Sequence, residues 1–300
     1  MLFICKFIII CRRTLLALSI LSTAISAHAD LPLTVEDRIT DKGKFKFDLS
    51  LTYANADRQG VFAGEPITVQ TGPTSFVTLP TLIGESLGNS DSLVGTLGLR
   101  YGLTGKAEIF ARTSYWTSNS RSSNITGTSE SSEDRFADAW AGINYQFKKD
   151  DDTPAVLGFA EIALREQHEN SSSSFKSALV GITTYKAIDP VVFSLTTAYR
   201  FNQNRQDDDK DVKPGNLFLL NPSIAIAVND RVTLTTGMQW TNRQADQWDG
   251  TAQGFRRTSS DLILGVGYGI AKGDTVNTSF KLNASGQAGA ELRTNWLYTF

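Results

Sequence analysis

From Lys44 onward the chain alternates apolar and polar residues in segments of about ten. Phe45, Phe47, Leu49, Leu51 and Tyr53 are interleaved with Lys46, Asp48, Ser50 and Thr52. The pattern returns along the chain, as in Val191, Phe193, Leu195, Thr197, Tyr199 and Phe201 around Ser194, Thr196 and Arg200. Successive side chains of a strand point to opposite faces, so period two predicts strands with one apolar and one polar face. No apolar run after the N-terminal segment reaches the ~20 residues a membrane-crossing helix requires. A helical membrane protein is excluded, and the alternation must find another way to bury its apolar face.

The connections narrow the choice. Short, Gly-, Asp-, Asn- or Pro-rich turns (103–106, 148–154, 187–190, 229–230, 271–274) alternate with longer polar stretches (55–90, 119–134, 167–174, 202–216, 242–257), and 285–290 occupies the last long-loop position. This order of short turns and long loops belongs to outer-membrane barrels. Twelve strands are expected, roughly 43–54, 91–102, 106–118, 135–147, 155–166, 175–186, 191–201, 217–228, 231–241, 258–270, 275–284 and 291–300. An even number returns both ends to the periplasmic side. Segments 155–166 and 175–186 alternate poorly, so their facing is not fixed by pattern.

Aromatic residues decide between a barrel and a soluble sandwich, whose aromatics scatter through a shared core. Here Tyr53, Tyr101, Tyr115, Tyr145, Phe147, Tyr199, Trp240, Tyr268, Trp296 and Tyr298 lie near segment ends on the apolar face. That is the placement of interfacial girdles on a lipid-facing surface. Closure also removes the edge strands that a long open sheet exposes. The expected fold is all-β, a transmembrane antiparallel up-and-down β-barrel of about 12 strands, in a bacterial outer membrane. The last segment alternates Leu292, Thr294, Trp296, Tyr298 and Phe300, an amphipathic strand ending in an aromatic residue. Trp296, Tyr298 and Phe300 are therefore expected to be the signal read by the barrel assembly machinery.

Residues 1–29 differ in kind. Lys6, Arg12 and Arg13 precede an apolar stretch from Leu15 to Ile25, and Ala27-His28-Ala29 is a small-x-small cleavage pattern. A secretory signal removed before Asp30 is expected, and the rival reading as an anchor requires more apolar length than Thr14–Ala29 offers. Residues 30–42 form a polar periplasmic segment, either hanging free or plugging the barrel, and 43–300 form the barrel. Both cysteines, Cys5 and Cys11, fall in the signal, so the mature chain has no disulfide, thiolate metal site or cysteine nucleophile. Loss of three of the 29 basic residues and none of the 31 acidic ones leaves the mature chain acidic. Nucleic acid is not an expected partner.

Two stretches carry a narrower resemblance. Leu97-Gly98-Leu99-Arg100-Tyr101-Gly102-Leu103-Thr104-Gly105-Lys106-Ala107-Glu108 resembles a hairpin of outer-membrane transporters grouped with the MetA pathway of phenol degradation. Ala137-Asp138-Ala139-Trp140-Ala141-Gly142-Ile143-Asn144-Tyr145 resembles the Gly/Ala-Asp strand of that family, followed by an acidic turn and Pro154-Ala155. The resemblance implies a channel for small organic molecules. Its motifs are structural and assign no substrate-binding residue.

The polar face supplies the candidate pore lining: Lys46, Asp48, Arg100, Glu108, Arg112, Asp138, Glu161, Arg165, Arg200, Asp261, Lys281 and Arg293. Charges are costly on the lipid face, which favours this register. Two outcomes are compatible with it, a charged pore that sets ion preference and a narrow interior filled by salt bridges. The alternative function is then a structural or adhesive barrel displaying polar loops. Catalysis has little to work with. After the signal the chain has one histidine, His168, in a polar loop, and no nucleophile at a recognisable spacing. Gly265, Gly267 and Gly269 alternate on one strand face with no helix after them, so they do not form a phosphate loop. Asp207–Asp211 lacks calcium-loop spacing, and no metal or cofactor is expected. Expected partners are outer-membrane lipid, lipopolysaccharide, the assembly machinery and small solutes; oligomeric state is not legible. Loop 55–90 is the candidate gate, folding inward, extending outside as a hairpin, or adding two strands to make fourteen.

Overall fold

The structure is a computed structural model that describes residues 39–300 apart from 57–59, 64–65, 71–75, 81–82, 87–89, 125–126, 169–170, 208–209 and 286–288. The expected signal, residues 1–29, lies outside the described residues. Twelve antiparallel strands among the described residues close into a barrel. They are β1 (Phe45–Ala56), β2 (Ser90–Gly102), β3 (Ala107–Asn124), β4 (Gly127–Lys148), β5 (Ala155–His168) and β6 (Ser177–Ile188). β7 (Val191–Asn202), β8 (Leu217–Ala227), β9 (Val232–Arg243), β10 (Arg257–Ala271), β11 (Asp274–Asn283) and β12 (Gly289–Thr299) complete it. Each strand pairs with the next in sequence, and β1 pairs with β12. At this seam the Phe45 and Phe300 amides each donate to the other's carbonyl, at 3.1 and 3.0 Å. Among the described residues no sheet edge is left open along the wall, as a bilayer requires.

The face assignment follows the alternation. Leu49, Leu51, Tyr53, Leu97, Leu99, Ile143, Leu195, Leu234, Leu264, Val266 and Trp296 are exposed on the outside. Asp48, Ser50, Thr96, Glu108, Asn144, Thr196, Gln239 and Asn295 are buried on the inside. An apolar exterior around a largely polar interior inverts a soluble protein, and only lipid makes that arrangement stable. The barrel is that of a bacterial outer-membrane protein. Aromatic neighbours on the outer face reinforce the rim: Phe45 stacks on Phe300 with centroids 5.9 Å apart, and Tyr145 meets Phe147 edge-on at 5.0 Å.

Two expectations need correction. On β5 to β8 the inner face carries apolar residues beside its polar ones: Ala155, Leu157, Phe159, Leu179, Val192, Ala198, Leu217, Leu219 and Ala225 are buried there, next to Glu161, Thr183, Thr196 and Asn221. The poor alternation of 155–166 and 175–186 is the trace of this, because both faces carry apolar residues. The interior is therefore mixed, with its apolar side chains concentrated on these four strands. Second, 119–134 is not an irregular loop. β3 and β4 run to 18 and 22 residues and stay paired as far as Asn124 and Gly127. A spanning strand takes about 10 residues, so this ribbon rises roughly 25 Å beyond the membrane.

The other loops carry small sheets. Arg205–Asp207, Lys210–Lys213, Asp246–Trp248 and Thr251–Gln253 form a four-stranded sheet that ties the β7–β8 loop to the β9–β10 loop. Loop 55–90 makes two nested hairpins, Gly60–Ala63 with Ile83–Ser86 and Pro66–Gln70 with Phe76–Pro80. Neither joins the barrel sheet, so the barrel has twelve strands and not fourteen.

Candidate functional site

The inner face of the barrel is the candidate site, and it is built as matched sets of charges. Near the periplasmic end, Arg100 on β2 reaches Asp48 on β1 at 3.1 Å and Glu108 on β3 at 3.4 Å. Asn144 Nδ2 donates to Glu108 at 2.7 Å, and Asn295 donates to Asp48. These side chains meet because cross-strand pairing stacks inward positions of neighbouring strands, Lys46 opposite Arg100 and Glu108 opposite Asn144.

The N-terminal segment enters the same cluster. Thr40 is wholly buried and donates to Glu108 Oε2 from its amide at 2.7 Å and from its hydroxyl at 2.6 Å. Ile39 packs into the buried apolar cluster with Trp140 and Leu157. The chain passes so near Gly102 that a Cβ there would lie 2.1 Å from the Asp41 carbonyl oxygen. Only glycine fits, since any side chain would displace backbone. Within the expected segment 30–42, Ile39 and Thr40 are buried here and Lys42 is exposed; residues 30–38 lie outside the described residues.

A second set lies at mid-wall on β3 to β7. Arg112 pairs with Glu161 at 3.1 Å, both nearly fully buried. Arg112 and Arg200 both lie against the indole of Trp140, at 5.4 and 5.1 Å from the ring centroid. Trp140 is only 1% exposed, and its Nε1 donates to Asp138 Oδ2 at 3.0 Å. Arg200 also pairs with Glu166, and Arg205 lies 3.6 Å from the same carboxylate. A third set joins Lys281 to Glu291 at 2.6 Å and Asn283 Nδ2 to Asp261 Oδ1 at 2.8 Å. At the loop end Arg243 holds Asp246 at 2.6 Å, and that carboxylate accepts the Gly215 amide at 2.7 Å.

Among the twelve expected lining residues, Lys46, Asp48, Arg100, Glu108, Arg112, Glu161, Asp261, Lys281 and Arg293 are buried on the inner face, and Asp138 and Arg200 are half-buried there. Arg165 is the exception and is exposed. The β4–β5 register shifts between Ala139 and Trp140, so that Ala139 faces Arg165 while Trp140 faces Ala163. Leu164 is the extra residue, and a bulge of this kind reverses the facing of the residues after it. Glu166 takes the inward place, and Arg165 lies over the Phe136 ring at 5.6 Å. Sequence reasoning also missed Glu166, Arg205, Glu291 and Trp140. A bulge has no sequence signal here; Glu291 alternates with Arg293 and Asn295 and was open to detection.

The gate candidate reaches this wall. The strand Phe76–Pro80 lies beside β7, β9 and β10, whereas the loop that carries it leaves the barrel from β1 and β2. In a twelve-strand circle these are opposite sides, so the hairpin crosses the barrel. His168 closes β5 and pairs through its backbone with Ser171; its side chain lies outside the described residues. The acidic tract at 207–211 falls partly outside them as well.

Comparison with known proteins agrees with this architecture. An outer membrane channel from Pseudomonas putida F1 superposes with a TM-score of 0.63 at 12% identity, covering 90% of this chain and 100% of that one. The NanC porin gives a TM-score of 0.49 at 11% identity, over 84% of this chain and 98% of that chain. The toluene transporter TodX of P. putida gives 0.40 at 10% identity, over 85% and 88%. At such identities the first of these likenesses speaks to the fold alone, and the other two are too distant to carry an argument. No curated protein matches the sequence. A family profile matches residues 56–297, nearly the whole barrel. The chain belongs to the family described as "Putative MetA-pathway of phenol degradation".

Proposed function

We propose that this barrel is a passive outer-membrane channel for small organic solutes, with the hairpin of loop 55–90 as its gate. The observation that carries the reading is a mixed interior: neutralised charge sets, including Arg112–Glu161 and Lys281–Glu291, share the inner wall with apolar side chains concentrated on β5 to β8, among them Leu157, Phe159, Leu179 and Leu219. A barrel that only displayed loops has no use for a buried apolar inner wall beside polar groups left without partners. An amphipathic route suits solutes with an apolar body better than small ions. The family's description as a putative pathway of phenol degradation supports the same solute class.

Lys46, Asp48, Arg100, Glu108, Arg112, Asp138, Glu161, Arg200, Asp261, Lys281 and Arg293 would line or shape the route. The outward Trp296, Tyr298 and Phe300 would serve as the assembly signal, and the exposed polar loops would meet lipopolysaccharide. We assign no catalytic role, and His168→Ala is expected to leave transport unchanged. Protein refolded in detergent and inserted in a planar bilayer should give discrete conductance steps. Proteoliposomes should take up small aromatic solutes faster than protein-free vesicles. Absence of both refutes the channel.

A further inference from the structure

Asn221 on β8 and Gln239 on β9 lie opposite each other next to Pro222, where the β8–β9 ladder keeps its register from Leu220–Trp240 to Ser223–Gly237. Both amide side chains are buried on the inner face, at 1% and 0% exposure. None of their four polar atoms has a hydrogen-bond partner among the described residues. A buried amide without partners has lost its water and gained nothing in return, so two such side chains side by side need an explanation. They are not part of a charge network: the neighbouring Asp261 is held by Asn283. Their surroundings are apolar on one side, with Leu219 one inward position away on β8 and Ala198 opposite it on β7. The Thr183–Thr196 hydroxyl pair, 2.9 Å apart, continues the row. The gate hairpin approaches this same arc of the wall, beside β7, β9 and β10.

We infer that Asn221 and Gln239 form a solute subsite in the channel, selective for uncharged molecules that carry a hydroxyl or carbonyl on an apolar body. The inference rests on the channel reading and narrows it. An amide offers a donor and an acceptor together, so each side chain can bond a hydroxyl in either sense. A carboxylate-bearing solute would bring a full charge to a pair of neutral amides beside an apolar wall, and its desolvation would go uncompensated. A hydrocarbon would leave the amides unbonded. The apolar neighbours hold the body of the solute while the amides take its single polar group, the usual division of labour in a small-molecule site.

The test is current block through the refolded protein in a planar bilayer, with benzyl alcohol, toluene and benzoate added in turn. Benzyl alcohol should block at the lowest concentration. In the Asn221→Leu/Gln239→Leu double variant its half-blocking concentration should rise about tenfold, the ratio given by one net hydrogen bond of about 1.4 kcal/mol, with the potassium chloride steps retained. An unchanged half-blocking concentration, or benzoate as the strongest blocker, overturns the subsite. Should the double variant fail to fold, Gln239→Glu decides: a shift of the reversal potential toward cations is expected, and an unshifted potential overturns the assignment. Absence of any conductance step in the unaltered protein is a different failure, because it removes the channel and the subsite with it.

Discussion

Arg112 and Glu161 illustrate what a charge must have to survive inside this wall. Both are buried and paired at 3.1 Å, and Arg112 also rests on the Trp140 ring. Removing one partner strands the other. Glu161→Leu is expected to cost about 3–5 kcal/mol, and the Arg112→Leu/Glu161→Leu pair much less, because no charge is then left uncompensated. Urea unfolding from detergent micelles reads both; equal losses would mean that packing, not charge, is what the pair supplies. The bulge makes a paired prediction. Arg165→Ala should change stability by under about 0.5 kcal/mol, as for exposed positions, whereas Glu166→Ala leaves Arg200 and Arg205 without their shared carboxylate. Equal effects would place both residues on one face. In the β4–β5 turn, the Asp151 carboxylate accepts from Lys148 Nζ at 2.8 Å and the Thr153 amide at 2.9 Å, and these bonds hold it below the usual carboxylate range. A depressed folded value means that the turn is stabilised above the ordinary carboxylate value of about 3.9 and loses this as pH falls through the lower folded value. The Thr153 amide should keep its exchange protection at pH 4; loss of protection at that pH contradicts the assignment.

At the scale of elements, the loop hairpin has the largest functional leverage. Pro66–Gln70 pairs with Phe76–Pro80, and the second strand reaches β7, β9 and β10 from a root on the other side. Replacing 66–80 by a short Gly-Ser linker should enlarge the conductance step by roughly twofold or more, since pore cross-section sets the current. An unchanged step would move the constriction elsewhere, with the buried Ile39 and Thr40 the next place to look. The β3–β4 ribbon has the opposite character. Its Ser- and Thr-rich crest lies beyond any membrane-spanning length, so shortening it should leave conductance and folding intact.

For the whole molecule, the charge sets matter because they cancel. Lys46 and Arg100 are balanced by Asp48 and Glu108, Arg112 by Glu161, and Lys281 by Glu291. A pore lined by compensated pairs exerts little net field on a passing ion. The reversal potential across a tenfold potassium chloride gradient is therefore expected near zero, and a strongly cation- or anion-selective potential would show that one sign prevails along the route. The exposed apolar exterior, from Leu49 to Trp296, makes the opposite demand on the surroundings, since a surface of that kind is stable only against lipid or detergent.

The sequence alone determined the features that a local period can carry. Alternation set the strands, the outward face and most of the inward one, and the short and long connections set the up-and-down order. These are properties of neighbours along the chain, and each segment declares them by itself. Only the tertiary structure decided the features that depend on neighbours across the sheet. The bulge at Leu164, the meeting of Arg112 and Arg200 on Trp140, the hold of Thr40 on Glu108 and the path of the hairpin to the far wall all join residues dozens of positions apart. So does the apolar inner wall of β5 to β8, where a segment apolar on both faces leaves no alternation to read. Register and closure bring these residues together, and neither is written in the composition of any one strand.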